Sequence, residues 1–404
     1  MGAGRRTPAG LLPGPVGGAR FGDARPRPSP GGRAQLPAPG RRCDAHRGAG
    51  PGGEESSEAD GAAARAVTPG LVSILVVNWN GARLLESCLA SVHAQDYQPI
   101  ELIVVDNGSL DGSAEIAAKD EGVHLIRNAN NLGFAVANNI GIDAARGEFV
   151  LLLNYDVRLR PDYVRLLVAR LQQDAGLGSA SGKLLRAEPP DIIDSAGHVM
   201  YRNVWPTNRG EDEPDGPAFD LPGEVFGVCA AAGLYRCTML DDIRINGEIL
   251  DASFFAYLED VDLDWRARSR GWRSWYEPAA VATHARSGSG AWGSAKLQRH
   301  ILKNRLLLIV KNDGGLGMLA RLPGMVAFTG AKAVQLLVTR PAALLGAVDA
   351  VRLLPATLAK RQIIQRRRTV SRREIERFFE PYPYLRKARQ GRVLGRRRPW
   401  TSPS

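Results

Sequence analysis

Between Leu71 and Val77 the chain reads Leu-Val-Ser-Ile-Leu-Val-Val, a β-branched apolar run with almost no polar interruption. A strand open to water on one face alternates, so a continuous run predicts a strand covered on both faces. Asn78-Trp79-Asn80-Gly81 ends it, and Leu84, Leu85, Cys88, Leu89 and Val92 then recur at helical spacing, predicting an amphipathic helix over 82–94. Glu101–Val105 is a second strand stopped by Asp106-Asn107-Gly108-Ser109. Asp111 or Ser113 is placed to cap a short helix ending at Gly122, and Val123–Ile126 is a third strand. Gly133–Ala145 reads as helix, Glu148–Leu153 as a fourth strand closed by Asn154-Tyr155-Asp156, and Pro161 as the first residue of a helix to 173.

Strands alternating with helices in this way predict an α/β fold with a mainly parallel sheet. Such sheets bind ligands beyond the carboxyl ends of their strands. Three of those ends carry polar clusters: 78–80, 106–107 and 154–156. Turns also favour Asn, Asp and Gly, so a single cluster is mostly punctuation, but three on one edge predict a site. No G-x-G-x-x-G follows the first strand and no G-x-x-x-x-G-K-[ST] occurs, so the glycine cradles of dinucleotide-binding and P-loop proteins are absent. A bound phosphate would then need another electrophile, such as a carboxylate-held divalent ion.

Charge divides the 404 residues into three. Residues 1–66 carry 10 Arg against 6 acids, and residues 352–404 carry 16 Lys/Arg against 3 Glu; the stretch between holds 27 bases and 33 acids. A mildly acidic middle disfavours a nucleic-acid-binding core. Residues 1–66, rich in Gly, Pro, Ala and Arg, bury too little to offset their ordering entropy and are expected to be disordered. Arg5-Arg6 is followed by no apolar segment, so no signal peptide is expected. Cys43, Cys88, Cys229 and Cys237 lack metal or disulfide spacing, which suits a reducing cytoplasm. In Met318–Val351 the charges Arg321, Lys332, Arg340 and Asp349 interrupt the apolar residues, so no membrane-spanning helix is expected. Apolar helices followed by a basic, aromatic tail (366–368, 372–373 and 396–398, with Phe378, Phe379, Tyr382, Tyr384 and Trp400) suit an anionic membrane surface.

Five ordered motifs resemble family 2 glycosyltransferases: Val-Val-Asn-Trp-Asn-Gly (76–81), Val-Val-Asp-Asn-Gly-Ser-x-Asp-Gly-Ser (104–113), Asn-x-Gly-Phe-Ala-x-Ala-Asn-Asn-x-Gly (131–141), Leu-Leu-Leu-Asn-Tyr-Asp (151–156) and Phe-Phe-Ala-Tyr-Leu-Glu-Asp-Val-Asp-Leu (254–263). The nearest likeness is to the rhamnosyltransferase-like branch that builds bacterial cell-wall and surface polysaccharides. It covers about residues 71–312, through Lys303-Asn304-Arg305 and Lys311-Asn312. The resemblance implies a GT-A domain over 67–312, and the apolar helices and basic tail read above make 313–404 a helical membrane-surface appendage. It also implies a nucleotide-sugar donor (dTDP-rhamnose first, UDP-sugars next), Mn²⁺ or Mg²⁺, and inversion at the anomeric carbon. The implied acceptor is polyprenyl-linked or a polysaccharide, met by a peripheral enzyme at the inner face of the cell membrane.

By the same resemblance, Asn78, Trp79, Asn80 and Asp106 grip the nucleotide, and Asn131 and Gly133 line its pocket. Asp156 is the metal-binding carboxylate of a D-x-D whose first position here is Asn154, with Tyr155 where the branch has Pro. His284 is a further metal ligand, Asp260 the base that deprotonates the acceptor hydroxyl, and Glu259 its neighbour, able to orient that hydroxyl. Gly247-Glu248-Ile249-Leu250-Asp251 departs from the family's Gly-Phe-Asp on the acceptor side.

Among Glu259, Asp260, Asp262 and Asp264, most are expected to serve the helix macrodipole or to pair with arginines. Asp260 is expected to have its pKa raised by the neighbouring carboxylates, which suits a general base. Of the tryptophans at 205, 265, 272, 275 and 292, Trp292, in a Gly/Ser-rich loop, is the candidate for a sugar or acceptor contact. Two other classes stay open: a nucleotide-binding module without turnover, motivated by Asn154-Tyr155, and a basic protein whose tail binds nucleic acid.

Overall fold

The computed structural model describes residues 67–286 and 294–384. Strand β1 (Thr68–Asn78) is buried from Leu71 onward because it lies inside the sheet with packed side chains on both faces. Ile74 and Val76 join a core with helices α1 (Ala82–His93) and α4 (Tyr163–Gln173), whereas Leu75 and Val77 join one with α3 (Phe134–Ala144), α5 (Cys237–Asp242) and α6 (Glu259–Ser269). The expected two-sided cover is therefore present, and it explains the continuous apolar run.

Around β1 lie β2 (Ile100–Asp106) and β4 (Gly147–Asn154), both parallel to it, and β3 (Val123–Arg127), parallel to β2. Beyond β4 come antiparallel β11 (Ala232–Arg236), then β6 (Leu177–Arg186), β12 (Arg273–His284) and β10 (Gly223–Val225), giving the order β10-β12-β6-β11-β4-β1-β2-β3. β5 (Val157–Leu159) pairs with β12, and β7 (Ile193–Ser195) with β6. This is the α/β class expected for a GT-A domain. The register sets Asn78 opposite Asp106 and Val77 opposite Asn154, so the three polar strand ends share one edge.

Two helix starts differ from expectation. The short helix α2 (Ser113–Ala118) has Gly112, in a left-handed conformation, as its N-cap, and it stops before Gly122. Asp111 instead accepts from the Ser113 amide at 3.1 Å, closing a turn just ahead of the helix. Pro161 lies outside α4, whose N-cap is Asp162, because its carbonyl is taken by the Asp96 amide at 2.9 Å.

Residues 294–384 are bound into the same packed unit as the sheet. Ser294 caps α7 (Ala295–Asn312) by accepting from the Leu297 amide at 3.2 Å. Helices α8 (Gly315–Thr339), α9 (Leu345–Arg352), α10 (Leu354–Arg367) and α11 (Arg372–Glu376) follow. Strand β13 (Phe379–Glu380) then pairs in parallel with β8 (His198–Tyr201), next to β9 (Pro206–Asn208), and Phe379 packs edge-on to Trp265 with centroids 5.4 Å apart.

Helix α8 corrects the expectation that no helix is long and apolar enough to cross a membrane. Its 25 residues pass that test by length and composition. The two charges that interrupt the sequence do not interrupt its outer face. Arg321 turns inward to Asp313 at 2.6 Å and Glu376 at 2.8 Å, and the Lys332 ammonium lies over the Trp205 ring. Leu316, Leu319, Val326, Val334, Leu337 and Val338 form the exposed stripe.

Candidate active site

At the shared strand edge, the Asn78 amide nitrogen lies 2.8 Å from Asp106 Oδ1, 2.8 Å from Ser113 Oγ and 3.1 Å from Ser109 Oγ. Asp106 also accepts from the Ser109 amide, and Asn80 from the Leu110 amide at 2.9 Å, while Trp79 is exposed. Asn107, named in the sequence only as part of the polar cluster at 106–107, ties the neighbouring turns together. Its amide donates to Asn131 Oδ1 at 3.0 Å, and its oxygen accepts from the Leu132 amide and the Asn128 side chain. These bonds fix Asn78, Asp106 and Asn131 as one polar wall.

Gly133 opens α3 with φ +89°, and a Cβ there would sit 2.5 Å from the Phe255 ring. The Ala135 amide donates to the Phe255 carbonyl at 3.1 Å, so the wall touches the turn that launches α6. Phe255, Tyr257 and Leu258 in that turn all have positive φ, a conformation that costs non-glycine residues about 1–3 kcal/mol each. The Asn304 side chain on α7 holds it by donating to the carbonyls of Phe254, Ala256 and Tyr257 at 3.0, 2.8 and 2.6 Å. The only signal for Asn304 in the sequence is its place in Lys303-Asn304-Arg305.

Asp156 follows β4, and His284 ends β12, paired with Val157. This brings His284 Nε2 within 3.2 Å of Asp156 Oδ1, while Nδ1 faces buried Asp194 at 2.8 Å. Burial lowers the imidazole pKa, but the two carboxylates outweigh it and lift it to about 10. The buried Asn154 Oδ1 has no hydrogen-bond partner. One carboxylate, one carbonyl oxygen and one imidazole oriented by a carboxylate behind it suit a hard divalent ion of the Mn²⁺ type, which on binding would displace the Nε2 proton that Asp156 stabilises in its absence. Burial and the charges of Asp156 and Asp111 raise the Tyr155 hydroxyl to about 12, so it stays neutral.

Glu259 and Asp260 open α6, and the environment separates their titrations opposite to the expectation for Asp260. Burial raises Asp260, but the His198 imidazole, with Nε2 3.4 Å away, and the amides of Ala230 and Val261 outweigh it and hold the carboxyl below its ordinary value. The neighbouring carboxylates do not decide its state because a cation sits closer. Glu259 is the raised one: it is buried beside the Asp260 charge, which pushes it well above the ordinary range, and its Oε2 lacks a partner. Asp262 pairs with an arginine, as expected for this acidic run, whereas Asp264 pairs with a histidine. Asp262 meets Arg266 at 2.9 Å and Lys311 at 2.8 Å, and Asp264 meets His198 Nδ1 at 2.7 Å.

The Ala230 amide is 3.3 Å from Asp260, and the next carbonyl, of Ala231, accepts from the Asn154 amide at 2.9 Å. These two bonds tie the end of β4, which carries Asn154 and leads to Asp156, to the start of α6, which carries Glu259 and Asp260. Trp292 lies outside the described residues, whereas Trp265 is core and Trp275 lies under Arg170.

Residues 73–185 match the family model described as Glycosyl transferase family 2. The chain carries a family 2 glycosyltransferase domain. It is 26% identical to the N-acetylglucosaminyl-diphospho-decaprenol L-rhamnosyltransferase of Mycobacterium tuberculosis, over 60% of this chain and 86% of that protein. It is 38% identical to Bacillus subtilis EpsH, assigned as a glycosyltransferase, over 46% of this chain and 54% of EpsH. Staphylococcus aureus TarS, a solved structure, is similar at 16% identity and a TM-score of 0.48, over 73% of this chain and 52% of that one. The chain thus spans about half the length of two of these three proteins.

Proposed function

We propose that the family 2 domain is an inverting, divalent-metal-dependent glycosyltransferase that moves a sugar, rhamnose first among the candidates, to a polyprenyl-linked or polysaccharide acceptor. The observation that carries this reading is the place of Glu259 and Asp260 side by side at the start of α6, with Asp260 held by the Ala230 amide and His198, and the environment raising the Glu259 carboxyl and lowering that of Asp260. A pair pushed apart in this way divides acid and base roles. Ionised Asp260 takes the proton of the acceptor hydroxyl as its oxygen forms a bond to the anomeric carbon and the bond to the diphosphate breaks. One displacement inverts the centre and requires no covalent nucleophile. Glu259, its carboxyl raised by burial and by the Asp260 charge, stands beside the base to orient the acceptor. Asn78, Trp79, Asn80, Asp106, Asn131 and Gly133 frame the nucleotide.

Asp156 and His284, with Asn154 Oδ1, would hold a Mn²⁺ or Mg²⁺ ion. When bound, that ion supplies positive charge to the departing diphosphate. The name of the mycobacterial relative supports rhamnose as the sugar and a diphospho-polyprenol as the acceptor. In a thermal-shift assay with dTDP-rhamnose, Asp156→Asn is expected to remove the Mn²⁺-dependent part of the stabilisation; full retention would contradict the metal assignment.

The exposed stripe of α8, together with exposed Leu345, Val348 and Val351 on α9, supports a place on the cytoplasmic membrane surface, with the basic residues of the C-terminal region meeting anionic lipid. Replacing Leu319, Val326 and Val334 together by Glu is expected to weaken binding to phosphatidylglycerol vesicles by more than tenfold. The basis is roughly 1.5 kcal/mol or more for each buried side chain. Unchanged vesicle binding would remove the membrane role of this face.

A further inference from the structure

His198 lies on β8, far in sequence from α6, yet its ring joins two carboxylates of that helix: Nδ1 faces Asp264 at 2.7 Å and Nε2 faces Asp260 at 3.4 Å. The imidazole is 4% exposed. The site is built around it. The His198 amide donates to the Gly227 carbonyl at 2.8 Å, and a Cβ at Gly227 would lie 1.8 Å from Asp264 Oδ2, so only glycine admits the carboxylate that backs the ring. The Val228 amide holds the other oxygen of Asp264 at 3.3 Å.

We propose that His198 is a positioning residue that aims the Asp260 carboxylate at the acceptor and keeps it ionised, with Asp264 fixing the ring from behind. This rests on Asp260 being the base. The residue behind a base usually sets its orientation, and an opposite charge keeps a buried carboxylate charged. The other titratable groups facing the ring are Cys229 and, around the carboxylates, Glu259, Tyr235 and Arg268. None supplies a second cation to Asp260 itself: Arg268 is engaged by Glu224 at 3.1 Å and by the Phe226 carbonyl. His198, Cys229 and Asp260 also bring ligand atoms within 4.8 Å of one another, so a bound metal is the competing account of this cluster.

The test compares the wild type, H198Q and D260N in transfer from dTDP-rhamnose to N-acetylglucosaminyl-diphospho-decaprenol across pH. Losing a cation close to a carboxylate raises its pKa by about 1–3 units, so the acid limb of kcat in H198Q is expected to move up by that amount. The loss of kcat is then largest at low pH and recovers as pH rises, with KM for the donor unchanged. An acid limb that stays in place in H198Q, while D260N is inactive, overturns the proposal alone; a D260N that keeps wild-type transfer overturns the base reading beneath it. Should H198Q not fold, ¹⁵N spectra of the wild-type imidazoles decide. His198, identified as the ring whose titration moves in D260N, is expected to carry both N–H protons at neutral pH. Titration near the ordinary histidine value of about 6.5, or a metal-bound signal abolished by EDTA, contradicts the proposal.

Discussion

Asp260→Asn is expected to lower glycosyl transfer by about 10²–10⁴-fold, the usual contribution of a general base, while donor binding and the fold survive. The side chain keeps its size, and its one carbonyl oxygen still accepts from one of the two amides, of Ala230 or Val261, that now hold the two carboxylate oxygens. What is lost is the charge that accepts the acceptor's proton. Single-turnover kinetics with saturating donor separate the two effects. A fall confined to the chemical step supports the assignment, and transfer within a few-fold of wild type contradicts it.

Lys311→Met is expected to destabilise the protein by about 3 kcal/mol or more, the cost of leaving buried carboxylates without a buried partner. The Lys311 ammonium is 1% exposed and bridges Asp251 and Asp262. Arg266 and Asn312 still reach Asp262, and Lys360 of α10 still reaches Asp251, so the loss is expected at the lower end of the range for such pairs. Urea denaturation monitored by circular dichroism measures it. Because the bridge joins α7 to the segment that enters the catalytic turn, activity is expected to fall at temperatures below global unfolding. A variant as stable as wild type would contradict the structural role of the bridge.

The sheet was legible because its strands are buried on both faces, and a run such as Leu-Val-Ser-Ile-Leu-Val-Val leaves little else to be. The flush edge of Asn78, Asp106 and Asn154 followed from where each run stops. Two things were not legible. The charge state of Asp260 depends on His198, 62 residues earlier and on a separate small sheet, and no local pattern connects them. Counting neighbouring carboxylates therefore gave the wrong direction for its pKa. Likewise, Arg321 and Lys332 look in sequence like breaks in an apolar stretch, and only the helical phase of α8 sends both to the protein side. Asn304 was visible as part of a motif, but its grip on three carbonyls needs the positive-φ turn at 255–258 to be seen.

The most direct measurement is nucleoside-diphosphate release by the purified protein with dTDP-rhamnose, UDP-N-acetylglucosamine, UDP-glucose or GDP-mannose. Each is run with N-acetylglucosaminyl-diphospho-decaprenol, with and without Mn²⁺, beside Asp260→Asn. The account predicts acceptor- and Mn²⁺-dependent release from one donor, abolished in the variant. A folded protein that binds a donor without releasing diphosphate under any of these conditions would contradict transfer and leave a nucleotide-sugar-binding module.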